Sequence, residues 1–142
     1  MNVRSFFDTN VLVYLDDASS PVKQKQAYEL FEKHLRDKTG YVSLQVLQEY
    51  FVTATRKLRV SPEVARRKVE LYTALHVVSP TVEDIIASID IHRVQRLSFW
   101  DGLVVRAAQK AECKVIYTED MQSGRVFDGP RAVNPFASVG DK

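Results

Sequence analysis

A parallel α/β domain, with a short central sheet of four to five strands flanked by helices, is the fold this sequence predicts. Two observations predict it. Short apolar runs recur along the chain, each followed by a longer stretch with apolar residues at three- and four-residue steps. Strands alternating with helices in this way are the mark of βαβ units. Two of the runs also close on acidic residues, Asp8 after residues 3–7 and Asp120 just beyond residues 114–118. Parallel sheets bind ligands beyond the carboxyl ends of their strands, so these charges stand where chemistry is done.

The elements follow in order. Residues 3–7 read as a buried strand, apolar and ended by a polar turn. Asp8, Thr9 and Asn10 supply helix-start chemistry for a helix with Val11, Leu12 and Leu15 as its apolar stripe. Residues 16–21 form a loop, and Pro21 suits a first helical turn, where its missing N–H would lack a partner anyway. The helix it opens runs to about residue 38 on Ala27, Leu30, Phe31, His34 and Leu35, with Gly40 as its stop. Residues 41–42 are a brief second strand. Ser43 caps a helix to about residue 57 with Leu47, Tyr50, Phe51, Ala54 and Leu58 on the core side. Ser61, Pro62 and Glu63 start another, to about residue 75. Residues 76–78 are a third strand, 81–96 and 100–111 are helical, and 114–118 are the fourth strand. Residues 132–134 make a fifth, ended by Pro135.

Length and composition narrow the function classes. A chain of 142 residues with 45% hydrophobic content suits one domain, 1–142, with a real core. No apolar run approaches the ~18–20 residues of a membrane span, and the N-terminus lacks the apolar stretch of a secretory signal. Cys113 is the single cysteine, so no internal disulfide is available and a reducing cytoplasm is the expected home. A net charge of +2 is too mild to argue nucleic-acid binding by itself. Basic residues do cluster, however. Arg56, Lys57 and Arg59 stand near Arg66, Arg67 and Lys68. That run is a solvated face or a holder of phosphates, with Tyr50 or Tyr72 available for stacking. Arg125 and Arg131 follow the last acid and are expected closer to it.

Four acids are candidates for one metal site, because gathered carboxylates repel one another until a cation neutralises them. Asp8 equally well caps the helix after the first strand, and the two roles are compatible. Asn10 is placed to hydrogen-bond a neighbouring carboxylate or a metal-held water. Ser98 and Asp101 have capping-box spacing, yet the helix says more. At about 100° per residue, Trp100, Leu103, Val104, Ala107, Ala108 and Ala111 form one apolar face, with Asp101 on its edge. An ionised Asp turned toward a core needs a partner. Glu49, by spacing alone, reads as a solvated helix residue bordering the buried stripe. Glu119 and Asp120 share a turn-prone segment after a strand expected beside the first, and Thr118 can orient a carboxylate there. His34, His76 and His92 lack metal-ligand spacing and read as packing residues. Cys113 reads as a small core residue.

Taken together, these segments resemble a PIN-domain nuclease, in particular the VapC-like toxins of type II toxin–antitoxin pairs. The likeness covers nearly the whole chain. It lies in residues 6–14 (FFDTNVLVY), 43–50 (SLQVLQEY), 98–108 (SFWDGLVVRAA) and 118–124 (TEDMQSG), with 133–136 (VNPF) similar to a closing strand and turn. It implies an acidic site of Asp8, Glu49, Asp101 and Asp120, supported by Asn10 and Thr118. Glu49 becomes a site candidate only through this resemblance. The implied activity is endoribonucleolytic hydrolysis of RNA phosphodiester bonds with Mg²⁺, for which Mn²⁺ can substitute, since hard carboxylate oxygens suit such ions. Asp8 and Asp101 would hold the principal ion, and Glu49 and Asp120 a second ion or the attacking water. A cognate antitoxin, a homodimer and no membrane association are implied as well. Three other readings compete, one of them a housekeeping or DNA-directed nuclease without a toxin role. An aspartate-nucleophile phosphatase wants a second Asp two positions after the first, where Asn10 stands. A non-catalytic RNA-binding or scaffold protein would not need the complete acidic quartet.

Overall fold

Ser5, Phe6 and Phe7 are all buried, as a strand covered on both faces must be, and they form β1 (Ser5–Phe7). The remaining elements of the computed structural model, which describes residues 3–136, are α1 (Thr9–Tyr14), α2 (Pro21–Asp37), β2 (Gly40–Ser43), α3 (Leu44–Arg56), α4 (Pro62–Tyr72), β3 (His76–Val78), α5 (Val82–Gln95), α6 (Phe99–Lys110), β4 (Val115–Tyr117) and β5 (Arg131–Val133). The five strands form one sheet of order β3-β2-β1-β4-β5, every pair parallel. The α/β architecture and the parallel sheet are therefore as the sequence predicts. Residues 1–2 and 137–142 of the expected domain lie outside the described residues.

The order matters for function. The chain leaves β1 to build β2 and β3 on one side, and β4 and β5 on the other. A crevice opens at the carboxyl edge where the winding reverses, between β1 and β4. Asp8 N–H donates to the Tyr117 carbonyl at 3.0 Å, so the register places the end of β1 directly beside the end of β4.

Local chemistry explains the helix boundaries. Ser43, Ser61 and Ser98 each accept from a backbone N–H three residues on, capping α3, α4 and α6. Thr81 and Asp84 form a reciprocal capping box at the start of α5. α2 ends differently from expectation. Lys38, in the left-handed region at φ 59°, is the stop, and Gly40 opens β2 instead. Gly40 is glycine for room: a Cβ there would lie 2.7 Å from Leu75 Cδ2 and 3.2 Å from His34 Cβ.

The core lies between the sheet and its helices around Phe6, Phe7, Val42, Val46, Tyr50, Tyr72, Val105 and Ile116. Two residues expected in the core are instead exposed. Phe51 is 37% exposed, because Val46, Leu47, Tyr50 and Ala54 define the buried stripe of α3. Trp100 is 59% exposed, because the buried face of α6 is centred on Gly102, Val104, Val105 and Ala108. That rotation brings α6 against α5. A Cβ on Gly102 would meet the Ser88 carbonyl oxygen at 2.8 Å, so this glycine permits the close helix contact. His34, His76 and Cys113 pack as expected. The His34 ring contacts Thr39 and Tyr117, His76 stacks on Tyr41, and Cys113 is buried, which pushes its thiol up to about 12.

Candidate active site

Each candidate acid reaches the crevice on a different element. Asp8 is the N-cap of α1, where Thr9 N–H donates to Oδ1 at 2.8 Å. The buried Thr118 hydroxyl donates to Asp8 Oδ2 at 2.8 Å from the end of β4. Capping and site geometry thus come from the same two contacts. Glu49 on α3 accepts from the Thr9 hydroxyl at 2.7 Å and from Gln45 Nε2 at 3.1 Å. It is half-buried, not the solvated residue its spacing suggests. Thr9 therefore ties Asp8 to Glu49, one through its amide and the other through its hydroxyl. Asp101 lies in the first turn of α6, half-buried. Asp120 accepts from Asn10 Nδ2 at 3.0 Å, while its own N–H donates to Thr118 Oγ1 at 3.1 Å. Asn10 and Thr118 thus hold carboxylates, as the sequence suggests.

Glu119 has other partners. It accepts from the Tyr14 hydroxyl at 2.8 Å and pairs with Lys23 at 2.6 Å. Both acids line the open groove beside the site, but Glu119 is paired with Lys23, whereas Asp120 has no ion-pair partner among the described residues.

The electrostatics show the acids converging. Asp8 is 4% exposed, and burial first, then Asp101 and Asp120, push its carboxyl up to about 7. Asp101 is raised by burial and by Asp120 and Glu49. Among the described residues, no lysine or arginine pairs with any of the four. Elsewhere the fold does pair its buried acids. Asp84, fixed by Lys110 at 2.6 Å and Arg106 at 3.0 Å, is held far below the usual carboxylate range. The acids at the crevice lack that compensation.

A divalent cation fits this donor set, with a condition. Among the described residues no three acidic, histidine or cysteine side chains are close enough to share one ion directly. Mg²⁺ retains several waters and is commonly held by one or two carboxylates, so such an ion suits acids that surround a space without closing on one point. Beside them lies an open groove of about 950 Å³, whose lining includes Thr9, Asn10, Glu49, Lys57, Trp100 and Asp120.

Three expectations about other residues are corrected. Tyr50 and Tyr72 are fully buried and cannot stack on a nucleobase. They pack edge to face at 5.0 Å, and the Tyr50 hydroxyl donates to Asp16. Lys68 pairs with Asp16 at 2.8 Å, which removes it from a free basic face. Arg125 donates to the Gln95 carbonyl at 2.5 Å and covers the Phe127 ring, so it is held away from the acids. Sequence reasoning missed Thr9 and Gln45. Their only sequence signal is position, Thr9 next to Asp8 and Gln45 one helical turn before Glu49.

A five-stranded parallel α/β domain with an unpaired acidic cluster at its winding reversal is the class that fold and site define. The chain belongs to the PIN domain family, whose model matches residues 5–126. Among solved structures it is similar to a toxin–antitoxin complex from Klebsiella pneumoniae, at 17% identity over 93% of this chain and 98% of that one, TM-score 0.68. It is also similar to VapC20 of Mycobacterium tuberculosis, a sarcin–ricin loop cleaving toxin, at 20% identity, 82% and 89% coverage and TM-score 0.67. The DNA-bound VapBC of Salmonella typhimurium gives 18%, 92% and 97%, and 0.67. At these identities the likeness is one of fold. No curated protein matches the sequence.

Proposed function

We propose that this protein is a metal-dependent endoribonuclease and the toxin of a type II toxin–antitoxin pair, with Asp8, Glu49, Asp101 and Asp120 as its acidic site. The observation that carries this reading is four carboxylates from four separate stretches of the chain, of which Asp8 and Asp101 are raised by burial and by their acidic neighbours, with no ion pair to any of the four among the described residues. The toxin–antitoxin structures of the same fold support the biological role and an antitoxin partner.

The chain's own residues prepare the site. Thr9 and Thr118 fix both oxygens of Asp8. Thr9 and Gln45 fix Glu49, and Asn10 fixes Asp120. These three carboxylates are thereby oriented before any ligand arrives, which removes a reorganisation cost from the reaction. Bound Mg²⁺ or Mn²⁺ would supply water activation and offset charge on the leaving oxygen. Asp8 and Asp101 would be its principal holders, and Glu49 and Asp120 would hold a second ion or orient the attacking water. The protein would work in the cytoplasm. No helix among the described residues is long and apolar enough to cross a membrane. Val82, Ile85, Ile86 and Ile89, exposed on α5, support a homodimer.

The test is cleavage of end-labelled total RNA by purified protein with Mg²⁺ or Mn²⁺, against EDTA and against Asp101→Asn. Metal-dependent cutting that the variant loses, with its circular dichroism unchanged, is expected. Cutting by a correctly folded Asp101→Asn protein would remove that residue from the site.

A further inference from the structure

We infer that Trp100 is a stacking platform for an unpaired nucleobase next to the phosphate that is cut, an inference that rests on the ribonuclease reading. Among the described residues three large aromatic side chains are exposed, Tyr28 at 58%, Phe51 at 37% and the chain's single tryptophan at 59%, and of these only Trp100 lines the groove beside the acids. It is exposed into the groove that Asn10, Glu49 and Asp120 line, one residue before Asp101. A solvent-facing indole beside an acidic site offers a broad π-face and one N–H donor.

Its backbone is fixed to the acids. Ser98 caps α6 by accepting from the Asp101 N–H at 3.0 Å. Gln45 Nε2 lies 3.1 Å from Glu49 Oε2 and 3.3 Å from the Trp100 carbonyl, so one side chain spans the acidic site and the platform. The indole meets Phe99 edge to face at 5.2 Å. The ring is therefore placed before binding, and it loses little freedom when a base stacks on it. Lys57, on the same groove, offers a cation for a neighbouring phosphate. Stacking accepts any base, because every base has a π-face, and it requires that base to be unpaired. The substrate is thus single-stranded or looped RNA, not a continuous duplex.

Because Trp100 is the only tryptophan, fluorescence excited at the red edge of the indole band, beyond tyrosine absorption, reports on it alone. The experiment titrates the Asp101→Asn protein, which is not expected to cut, with short oligouridylate or oligoadenylate, and with an abasic strand of equal length. Binding is followed separately by the anisotropy of a dye on the strand. Quenching by the base-bearing strands and none by the abasic strand is expected. Trp100→Ala should bind oligoadenylate about tenfold to a hundredfold more weakly, and Trp100→Phe should restore part of the loss. RNA that binds without changing the emission, or a Trp100→Ala protein that binds and cuts as the parent does, overturns the platform and leaves the nuclease reading intact. In that event a protein partner becomes the better occupant of this face. If the parent protein neither binds nor cuts RNA with divalent metal present, the ribonuclease reading falls, and the platform with it.

Discussion

Replacing Asp8 by Asn should make the metal-free protein more stable, because the native fold holds this carboxylate at a cost. In the unfolded chain Asp8 ionises near its usual value of 3.8, and in the fold it does so at about 7. The sign follows from which state binds more protons. Between those two values the native state holds the proton more tightly, so native stability falls as pH rises. The penalty is absent below 3.8, grows by ~1.4 kcal/mol per pH unit, and is complete above about 7. A shift of roughly three units amounts to ~4 kcal/mol. Asn removes the charge but not without loss. Its oxygen can still accept from Thr9, but its amide then faces the Thr118 hydroxyl, whose proton loses its acceptor. That loss costs ~1–2 kcal/mol, which leaves a net gain of ~2–3 kcal/mol. For a chain of this size the gain is roughly 6–10 °C in Tm. The assay is thermal unfolding in EDTA across about pH 4 to 8. Asp8→Asn should be the more stable protein at the upper end and should lose its advantage at the lower. Adding Mg²⁺ should raise the parent's Tm and leave the variant's nearly unchanged. An Asp8→Asn protein no more stable than its parent at pH ~8, or equally favoured at pH ~4, would refute the reasoning.

Two other substitutions test the frame behind the site. Asp84→Asn strips Lys110 and Arg106 of their shared partner. Removing one member of a buried pair costs about 3–5 kcal/mol, but both cations are about a third exposed and regain water, so the loss by urea unfolding should be ~2 kcal/mol. The Asp84 carboxyl is depressed in the fold, so its contribution is present above its unfolded value and is lost as pH falls toward the folded one. The gap between parent and variant should therefore narrow in acid. Gly102→Ala forces a methyl to within 2.8 Å of the Ser88 carbonyl. It should lower stability by ~1–3 kcal/mol through α5–α6 displacement, and it should also lower cleavage, since α6 carries Asp101. An unchanged urea midpoint would show that the contact relaxes freely.

What the sequence made legible is local, and what it hid is long-range. Strand runs, helix caps and the position of Asp8 follow from neighbours within one helical turn, and the structure agrees to within a few residues. α2 ends at about residue 38, as the sequence predicts, but its stop is Lys38 in the left-handed conformation that glycine usually supplies, while Gly40 answers a contact from Leu75 just beyond α4. Glu49 shows the limit clearly. Its half-burial comes from Thr9, forty positions away, and no periodicity on α3 carries that contact. Glu119 and Asp120 are adjacent in sequence and nearly equal in chemistry. Lys23 and Tyr14, contributed by α2 and α1, decide between them. The helical wheel of α6 put Trp100 in the core because it weighed apolar character alone, when the face nearest α5 is chosen by the small side of the helix at Gly102. The same rotation turns Asp101 to the crevice and leaves Trp100 at the groove beside it. The misreading of Trp100 and its exposure therefore have one cause: α6 buries its small residues and leaves its aromatic at the surface.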